Sequence, residues 1–404
     1  MKLRRREFLQ GAGALALAGA PAWAGDAPKL SEELPAGTRD VAILDALPGK
    51  QPLIKLTYRP PNYETPLAYF KDAITPNDAF FVRYHVAYIP EIDASTWRLK
   101  IGGAGASNPM EFGLEDLNRM DQVEITAVNQ CSGNRRGLFN PHVPGVQWGV
   151  GAMGNARWRG VRLKDVLAKA GLAKEAIEVA FNGADEPVVD QTPDFTKSLP
   201  VWKAQDENVL IATQMNGQPL PHWNGFPARL VVPGWTGTYW MKHLVSVDVL
   251  DEPHDGYWMK GAYRVPLGRF PMVDRFLSQE TAVNTPITEI MVNSVITSPL
   301  PGAKVAAGQP IELTGLAWDG GYGITGVDVS ADNGASWMPA KLGEDLGRFS
   351  FRPFSLPLSG LKAGPHTYLA KATNRLGASQ PTALIANPAG YHHNLVARVA
   401  VTVA

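Results

Sequence analysis

The stretch NTPITEIMVNSVITSPLPGAKV, residues 284–305, divides the chain into two parts of different character. After it come only short runs in which apolar and polar residues alternate, such as IELTGLAW (311–318) and LVARVAVTV (395–403). Turns such as DNG (332–334) separate these runs, and no helical pattern lies between them. Such alternation is typical of half-buried strands. It predicts an antiparallel sandwich of immunoglobulin-like type over residues 286–404.

Residues 62–285, before that division, mix helical and strand patterns. The segment GVRLKDVLAKAGL (160–172) places apolar residues at helical spacing and stops at Gly171, which predicts a helix. β-Branched and aromatic residues predict strands in four segments: FFVRYHVAYI (80–89), QVEITAVNQ (122–130), IEVAFNG (177–183) and PARLVVPG (227–234). We therefore expect an α+β chain, with a mixed α/β domain followed by an all-β domain.

The first 24 residues, MKLRRREFLQGAGALALAGAPAWA, have the three parts of an export signal: a basic cluster, an uncharged apolar run and an A-x-A pattern. The Arg5-Arg6 pair is typical of the twin-arginine route, which exports folded proteins to the periplasm. An ordinary secretory signal that is rich in arginine is the alternative. Residues 25–61 are rich in proline and predict an extended arm. No other segment is long and apolar enough to span a bilayer.

Composition narrows the class of protein. The formal net charge is +0, which gives no sign of nucleic-acid binding. With 45% hydrophobic residues and 11 Trp, the chain can bury a large core. The 40 Gly and 33 Pro favour short strands and turns over long helices.

Cys131, in VNQCSGNRRG (128–137), is the only cysteine, so it cannot form a disulfide within the chain. An intermolecular crosslink, a reactive thiol, a metal ligand and an inert buried thiol all stay open on this basis. Arg135 and Arg136 follow closely, and nearby cations favour the thiolate, which attacks electrophiles or binds soft metals. The guanidinium group also suits phosphate and other oxyanions.

Two further segments carry basic residues among apolar ones. In FFVRYHV (80–86) a strand period of two places Phe81, Arg83 and His85 on one face, although an edge strand with a solvated face would do the same. PLPHWNGFPARLVVPGWTGTYWMKHL (219–244) contains His222, Arg229 and Lys242, for which a loop with scattered charge is the alternative. The chain has no C-x-x-C-H haem motif, no H-E-x-x-H or C-x-x-C zinc motif and no nucleotide-binding P-loop.

Five motifs in order resemble the sulfite oxidase family of molybdenum-pterin enzymes, and the bacterial periplasmic sulfite dehydrogenases in particular. They are FFVRYH, CSGNRR, QWGVGAMGNARWRGVRLKDVL, NGQPLPHWNGFPARLVVPGWTGTYWMKHL and AYRVP. The resemblance runs from about residue 63 to residue 404. It implies a molybdopterin-binding catalytic domain over residues 62–285 and a C-terminal domain of the dimerisation type over residues 286–404.

The resemblance also implies the cofactor and the residues that hold it. Molybdenum would be bound by the pterin dithiolene and by the thiolate of Cys131, since soft sulfur ligands suit such a metal. Arg83, His85 and Tyr263 match catalytic positions, with Arg83 binding substrate. The positions that match cofactor contacts are Phe81, Val82, Arg83, Tyr84, His85, Cys131, Arg136, Asp185, His222, Arg229, Trp240, Met241 and Lys242.

The implied reaction is the oxidation of sulfite to sulfate, with electrons passing singly to a separate c-type cytochrome, because the chain has no haem motif. The family often adds a pocket arginine from the second domain. Tyr322 stands near that position here, and Arg348 is another candidate for the role. A homodimer or a heterodimer with a cytochrome subunit is implied. The molybdenum subunit of a sulfane dehydrogenase, and a cofactor-free periplasmic binding protein on the same fold, are the alternative functions.

Overall fold

The computed structural model describes residues 43–267 and 280–404. The predicted export signal and residues 25–42 of the predicted arm lie outside these residues. Within residues 43–267 the strands are β1 Leu44–Asp45, β2 Leu53–Thr57, β3 Asn62–Glu64, β4 Val82–Arg83, β5 Leu99–Gly102, β6 Met110–Phe112, β7 Gln122–Gln130, β8 Met153–Arg162, β9 Glu178–Gly183, β10 Thr196–Pro200, β11 Leu210–Met215, β12 Gln218–Pro219, β13 Arg229–Val231, β14 Leu244–Leu250 and β15 Arg264–Pro266.

The same part contains four short α-helices and four 3-10 helices. The α-helices are α1 Leu114–Arg119, α2 Leu163–Ala170, α3 Val201–Ala204 and α4 Tyr257–Lys260. The 3-10 helices are Leu67–Tyr69, Arg136–Leu138, His222–Asn224 and Gly237–Tyr239. None of the described helices is long and apolar enough to cross a membrane.

Residues 280–404 contain strands and no helix among their described elements. The strands are β16 Asn284–Pro286, β17 Asn293–Ser298, β18 Lys304–Val305, β19 Ile311–Trp318, β20 Ile324–Ser330, β21 Met338–Pro339, β22 Lys341–Leu342, β23 Arg352–Leu358, β24 Gly364–Asn374 and β25 Ala397–Val403.

Three sheets lie within the first part, and a small fourth sheet pairs β15 with β16 of the second part. One has the order β1-β2-β3-β4, a second β10-β9-β14-β5-β6, and a third β12-β11-β8-β7 with β13 paired to β11. All pairs are antiparallel except β14 with β5. The first part is therefore mostly sheet, with helices confined to its connections.

Two sheets build the second part, in the orders β17-β19-β23-β22 and β18-β25-β24-β20-β21. Apolar side chains of both sheets form one core, which includes Leu313, Val329 and Val399. In β25 buried and exposed residues alternate without a break, as expected of a strand with one face in that core. The predicted all-β character of this part is confirmed, while its immunoglobulin-like type stays a prediction.

The predicted helix is present as α2. Leu163, Val166, Leu167 and Ala170 are buried on one face, at the spacing that gives an amphipathic helix its apolar stripe. The helix ends at Gly171, whose φ of 69° is a conformation that favours glycine. Residues 160–162 belong to β8 and not to the helix.

One strand prediction was wrong in part. Residues 80–89 were expected to form one strand, but only Val82–Arg83 pair in a sheet. Most of the aromatic and branched residues of this segment are buried, although Tyr88 is 50% exposed, so their composition indicated burial more than pairing. Within the described part of the predicted arm, β1 and β2 pair with each other, and β2 pairs with β3.

The two parts share an apolar interface. One buried cluster joins Phe70, Val128 and Met153 of the first part to residues of the second, among them Trp318 and Phe351. Hydrogen bonds cross the same boundary: Val128 N–H donates to Phe349 O over 2.9 Å, and Trp318 Nε1 donates to Gln130 Oε1 over 2.6 Å. The strand that leads to Cys131 is therefore packed against the second part.

Candidate active site

One cavity of about 620 Å³ gathers residues from almost every motif singled out in the sequence. This volume includes space that is open to solvent. The lining residues are Phe81, Arg83, Tyr84, His85, Asn129, Cys131, Ser132, Asp185, Phe195, Trp223, Asn224, Arg229, Gly237, Thr238, Trp240, Met241, Lys242 and Tyr263. They come from segments that lie up to 182 positions apart, between Phe81 and Tyr263.

Cys131 follows the last residue of β7 and enters a tight turn. Its N–H donates to Ala152 O over 2.9 Å, and Asn134 N–H donates back to Cys131 O over 2.9 Å. The side chain is 8% exposed and lines the cavity. Arg135, at the end of the turn, has a φ of 66°, which is rare for a residue with a side chain. The turn therefore holds the thiol at the cavity wall.

The loop 149–152, which is hydrogen-bonded to this turn, is held by the buried carboxyl group of Glu64. Gly149 N–H and Gly151 N–H each donate to the Glu64 carboxyl over 2.7 Å. Arg135 N–H in turn donates to Gly149 O over 2.8 Å. Burial raises the pKa of Glu64 to about 7, although the two backbone donors oppose that shift. No local sequence pattern indicates a role for Glu64, because its partners lie 85 and 87 positions away.

Arg83 reaches the cavity because the chain leaves the sheet immediately after it. Its Nη1 donates to Asn62 Oδ1 over 3.2 Å and also to Tyr84 O. The irregular backbone that follows lets Tyr84 and His85 line the cavity together, which a regular strand would prevent. The predicted grouping of Phe81, Arg83 and His85 is present, with Tyr84 added.

His85 and Tyr263 form a hydrogen-bonded pair between Nε2 and Oη. Burial, with the charges of Arg83 and Lys242, holds the pKa of His85 well below its usual range, so the imidazole is neutral. Burial raises the pKa of Tyr263, so the phenol keeps its proton. Tyr263 has a φ of 57°, and a strained backbone at a bulky residue is typical of functional sites.

The interior of the site is rich in cations. Arg229 is 2% exposed and donates from Nη1 to Asn224 O over 2.9 Å and from Nη2 to Trp240 O over 3.0 Å. Lys242 Nζ lies over the Tyr84 ring. Asp185 is the one carboxylate that lines the cavity among the described residues. Burial raises its pKa to about 6, with Lys242 opposing that shift. An anionic ligand would therefore be electrostatically favoured here.

Several buried polar atoms at the cavity have no hydrogen-bond partner in the described structure. They are Asn129 Oδ1, Ser132 Oγ, Thr238 Oγ1, Arg229 Nε and Lys242 Nζ. Buried polar atoms normally have a hydrogen-bond partner. A cluster of buried polar atoms without one therefore indicates a polar ligand. Asn129 Oδ1 can only accept, while the other four atoms can donate. Such donors beside one thiol fit an anionic, phosphate-bearing cofactor whose metal takes a soft ligand from the protein. Within the described residues, no three His, Cys, Asp or Glu side chains form a metal-binding group of their own.

Three predicted contact residues do not line the cavity. Val82 points into the core of the first sheet. His222 is on the surface side, with its ring against Trp223 and His243. Arg136 lies one layer behind the site, with its guanidinium 4.9 Å from the centre of the Tyr391 ring. Tyr391 stacks on Tyr263 with ring centres 5.5 Å apart, so the second part of the chain supports the site.

The two candidates for an added pocket arginine also lie away from the cavity. Tyr322 is 39% exposed and its hydroxyl donates to Glu289 Oε2 over 2.9 Å. Arg348 is exposed and its guanidinium lies over the Phe349 ring.

Some residues that line the cavity were not predicted from the sequence. Asn129, Ser132 and Thr238 are close neighbours of predicted positions in the sequence, so that proximity was a usable signal. Phe195 carried no such signal, yet its ring stacks on His85 with centres 3.5 Å apart.

Comparison with family models gives two matches. The model described as oxidoreductase molybdopterin binding domain matches residues 85–258. The model described as Mo-co oxidoreductase dimerisation domain matches residues 284–404. The second match begins at residue 284, which is also the first residue of the stretch at which the sequence changes character.

Two curated proteins illustrate the similarity in sequence. Mitochondrial sulfite oxidase of Macaca fascicularis is 39% identical over 304 residues, which cover 73% of this chain and 54% of that protein. Sulfite oxidase of Arabidopsis thaliana is 31% identical over 327 residues, which cover 77% of this chain and 81% of that protein. The chain thus spans about half the length of the mammalian relatives that it matches.

A solved structure resembles the whole chain. The sulfane dehydrogenase SoxCD from Paracoccus pantotrophus superposes with a TM-score of 0.74 at 26% identity. The match covers 95% of this chain and 96% of that one.

Proposed function

The chain belongs to the sulfite oxidase family of molybdenum-pterin enzymes, and from that premise we propose that it is a sulfite dehydrogenase. In this proposal it oxidises sulfite to sulfate at a molybdenum held by a pterin dithiolene and by Cys131. The electrons leave one at a time to a separate c-type cytochrome. The observation that carries the proposal is that the single thiol, Arg83 and the His85–Tyr263 pair line the same cation-rich cavity.

The residues at the cavity divide into two groups. Asn129, Ser132, Arg229, Thr238 and Lys242 present buried polar atoms without protein partners, and these would hold the pterin and its phosphate. Charge-assisted hydrogen bonds from Arg229 and Lys242 would be the strongest of these contacts. Cys131 would provide the one protein ligand to the metal. Of the predicted cofactor contacts, we assign Val82, Arg136 and His222 only supporting roles.

The second group acts on the substrate. Arg83 would attract and orient the sulfite anion, since guanidinium pairs well with oxyanions. Tyr263 keeps its proton, and its hydroxyl can donate to neutral His85 or to an oxygen that enters the cavity. His85 in turn is held in place by the stacked Phe195 ring. When bound, the molybdenum centre would supply the oxygen atom and accept the electron pair of sulfite.

Molybdenum content measured together with sulfite turnover tests the proposal. Protein purified from its native host in molybdenum-replete medium should contain close to stoichiometric metal and should reduce ferricyanide when sulfite is added. Metal-free protein from such a culture would contradict the enzyme and favour a cofactor-free binding protein. Metal-loaded protein that does not turn over sulfite would contradict the substrate.

The overall likeness to SoxCD supports a second candidate, the molybdenum subunit of a sulfane dehydrogenase. The absence of an added pocket arginine at Tyr322 fits a site that is less specialised for free sulfite. Activity on a carrier protein loaded with sulfane sulfur, without activity on sulfite, would favour this candidate.

Localisation and assembly are part of the same proposal. The twin-arginine pattern in residues 1–24 supports export of the folded, cofactor-loaded protein to the periplasm. The match of residues 284–404 to a dimerisation-domain family supports a homodimer or a heterodimer with a cytochrome subunit. We also assign the two-sheet second domain to the immunoglobulin-like sandwiches on the basis of its short alternating strands.

A further inference from the structure

Lys197, on β10, is a buried lysine one layer behind the catalytic cavity. Its side chain is among the largest that are fully buried, at 1% exposure. Among the described residues, no carboxylate forms an ion pair with Lys197. Three other lysines do form such pairs. Burying an unpaired charge is expensive, and such groups are concentrated at functional sites.

The contacts of Lys197 lead directly to the substrate side of the cavity. Its Nζ donates to Trp258 O over 2.7 Å. The same atom lies 5.2 Å from the centre of the Tyr263 ring and 4.7 Å from the centre of the Tyr239 ring. Trp258 packs on His85 with ring centres 5.0 Å apart. The charge of Lys197 thus lies close to the His85–Tyr263 pair and acts on His85 as well.

One carbonyl and two aromatic faces compensate a buried ammonium only in part. The missing counter-charge is one that a multivalent anion in the cavity would supply, because electrostatic interactions are poorly screened in a dry interior. Arg83 and Lys242 line the cavity itself, and Lys197 adds to their field from behind.

We propose that Lys197 is a positioning residue whose buried positive charge, beside the His85–Tyr263 pair, determines how tightly the cavity holds a divalent oxyanion. This inference rests on the proposed function, in which sulfite enters and sulfate leaves the same cavity. It assigns Lys197 no contact with the anion. Its effect is therefore expected in anion affinity and in KM, with little change in kcat.

The charge of Lys197 should depend on pH. Burial, together with the nearby positive charge of Arg264, lowers the pKa of Lys197 to about 7. The other titratable groups around it are Tyr239, Tyr263, His85 and His254, and burial favours the neutral form of each. As the pH rises through about 7, Lys197 loses its proton, so the affinity for a divalent anion should fall.

The test measures the binding of sulfate to the metal-loaded protein by quenching of tryptophan fluorescence. Sulfate stays a dianion between about pH 6 and about pH 8.5, so any change in affinity belongs to the protein. For the unmodified protein we expect the dissociation constant to rise about tenfold over this range. Lys197→Met should bind about tenfold more weakly at the lower pH and show a smaller pH dependence. Lys197→Arg should retain tight binding at both ends.

Equal affinity and equal pH dependence of Lys197→Met and the unmodified protein would overturn the proposal. Equal weakening in Lys197→Met and Lys197→Arg would also overturn it, because Lys197 would then only hold the Trp258 carbonyl. No binding of sulfate to the unmodified protein would overturn it as well. Normal sulfate binding without sulfite turnover would instead contradict the proposed reaction and leave the role of Lys197 supported.

Discussion

At the scale of single residues, Cys131 is the position on which the proposed chemistry depends most directly. Its backbone is fixed on both sides by hydrogen bonds to the loop 149–152 and within its own turn, so the fold does not need the sulfur atom. We therefore expect Cys131→Ser to fold normally and to lose sulfite turnover and bound molybdenum. Near-normal turnover of this variant would exclude Cys131 as the metal ligand. Metal analysis and circular dichroism provide the two measurements.

Arg83 offers a second test at this scale. Arg83→Gln keeps a polar side chain that can still contact Asn62, but it removes the charge that faces the cavity. The KM for sulfite should rise about tenfold or more, while kcat changes less. Arg159→Gln is the matched control, because Arg159 is exposed on β8. An unchanged kcat/KM in Arg83→Gln would exclude a role in substrate binding.

The element that positions Cys131 is the loop 149–152, and Glu64 holds that loop. In Glu64→Gln only one acceptor oxygen remains for the two backbone donors, and the new NH₂ group faces an N–H. The loss should be about 1–3 kcal/mol of unfolding free energy. Thermal denaturation compares this variant with Glu124→Gln, whose carboxyl is exposed on β7. Equal melting temperatures of the two variants would contradict this role of Glu64.

The same carboxyl gives a dependence of stability on pH. Its pKa of about 7 in the folded protein is above the value of about 4.3 in an unfolded chain, so the folded state holds this proton more tightly. The stability that it contributes is complete below the unfolded value and is lost as the pH rises to about 7. Glu64→Gln should remove this part of the slope. Melting temperatures measured across that range, with Glu124→Gln alongside, provide the check.

At the same scale, some helices and strands were predicted correctly from the sequence and others were not. Helix α2 and strands β7 and β9 were predicted because each has a local pattern and a nearby stop signal. Of the strand predicted over residues 80–89, only two residues form a strand. Residues that are buried beside the cavity have the same composition as residues that pair in a sheet, so the two cannot be told apart from sequence. The roles of Glu64 and Lys197 could not be predicted from the sequence, because they depend on contacts with residues far away in the chain.

At the scale of the whole molecule, the second domain is part of the support of the site. Trp318 is fully buried between the domains and its indole donates to Gln130, the residue before Cys131. Trp318→Ala should cost about 3–5 kcal/mol through the cavity that it leaves. It should also lower molybdenum retention, which thermal melts and metal analysis would show. Trp337→Ala, in a partly exposed turn of the second domain, is the control. Full metal retention in Trp318→Ala would argue against such support.

The order of motifs along the chain indicated the composition of the cavity well, because most predicted residues do converge on it. The order of motifs could not indicate which residues line the cavity and which lie behind its wall. Arg136 and Tyr391 form a layer behind Tyr263, and only the docking of the second domain creates that layer.

The solitary thiol has a practical use. Each chain carries one sulfhydryl, at the wall of the cavity. A small alkylating or chromogenic thiol reagent should therefore label only those molecules whose sulfur is not engaged by metal. The labelled fraction in a native preparation, compared with that after denaturation and chelation, would count the unloaded molecules directly. Maturation of the protein could then be followed without any substrate.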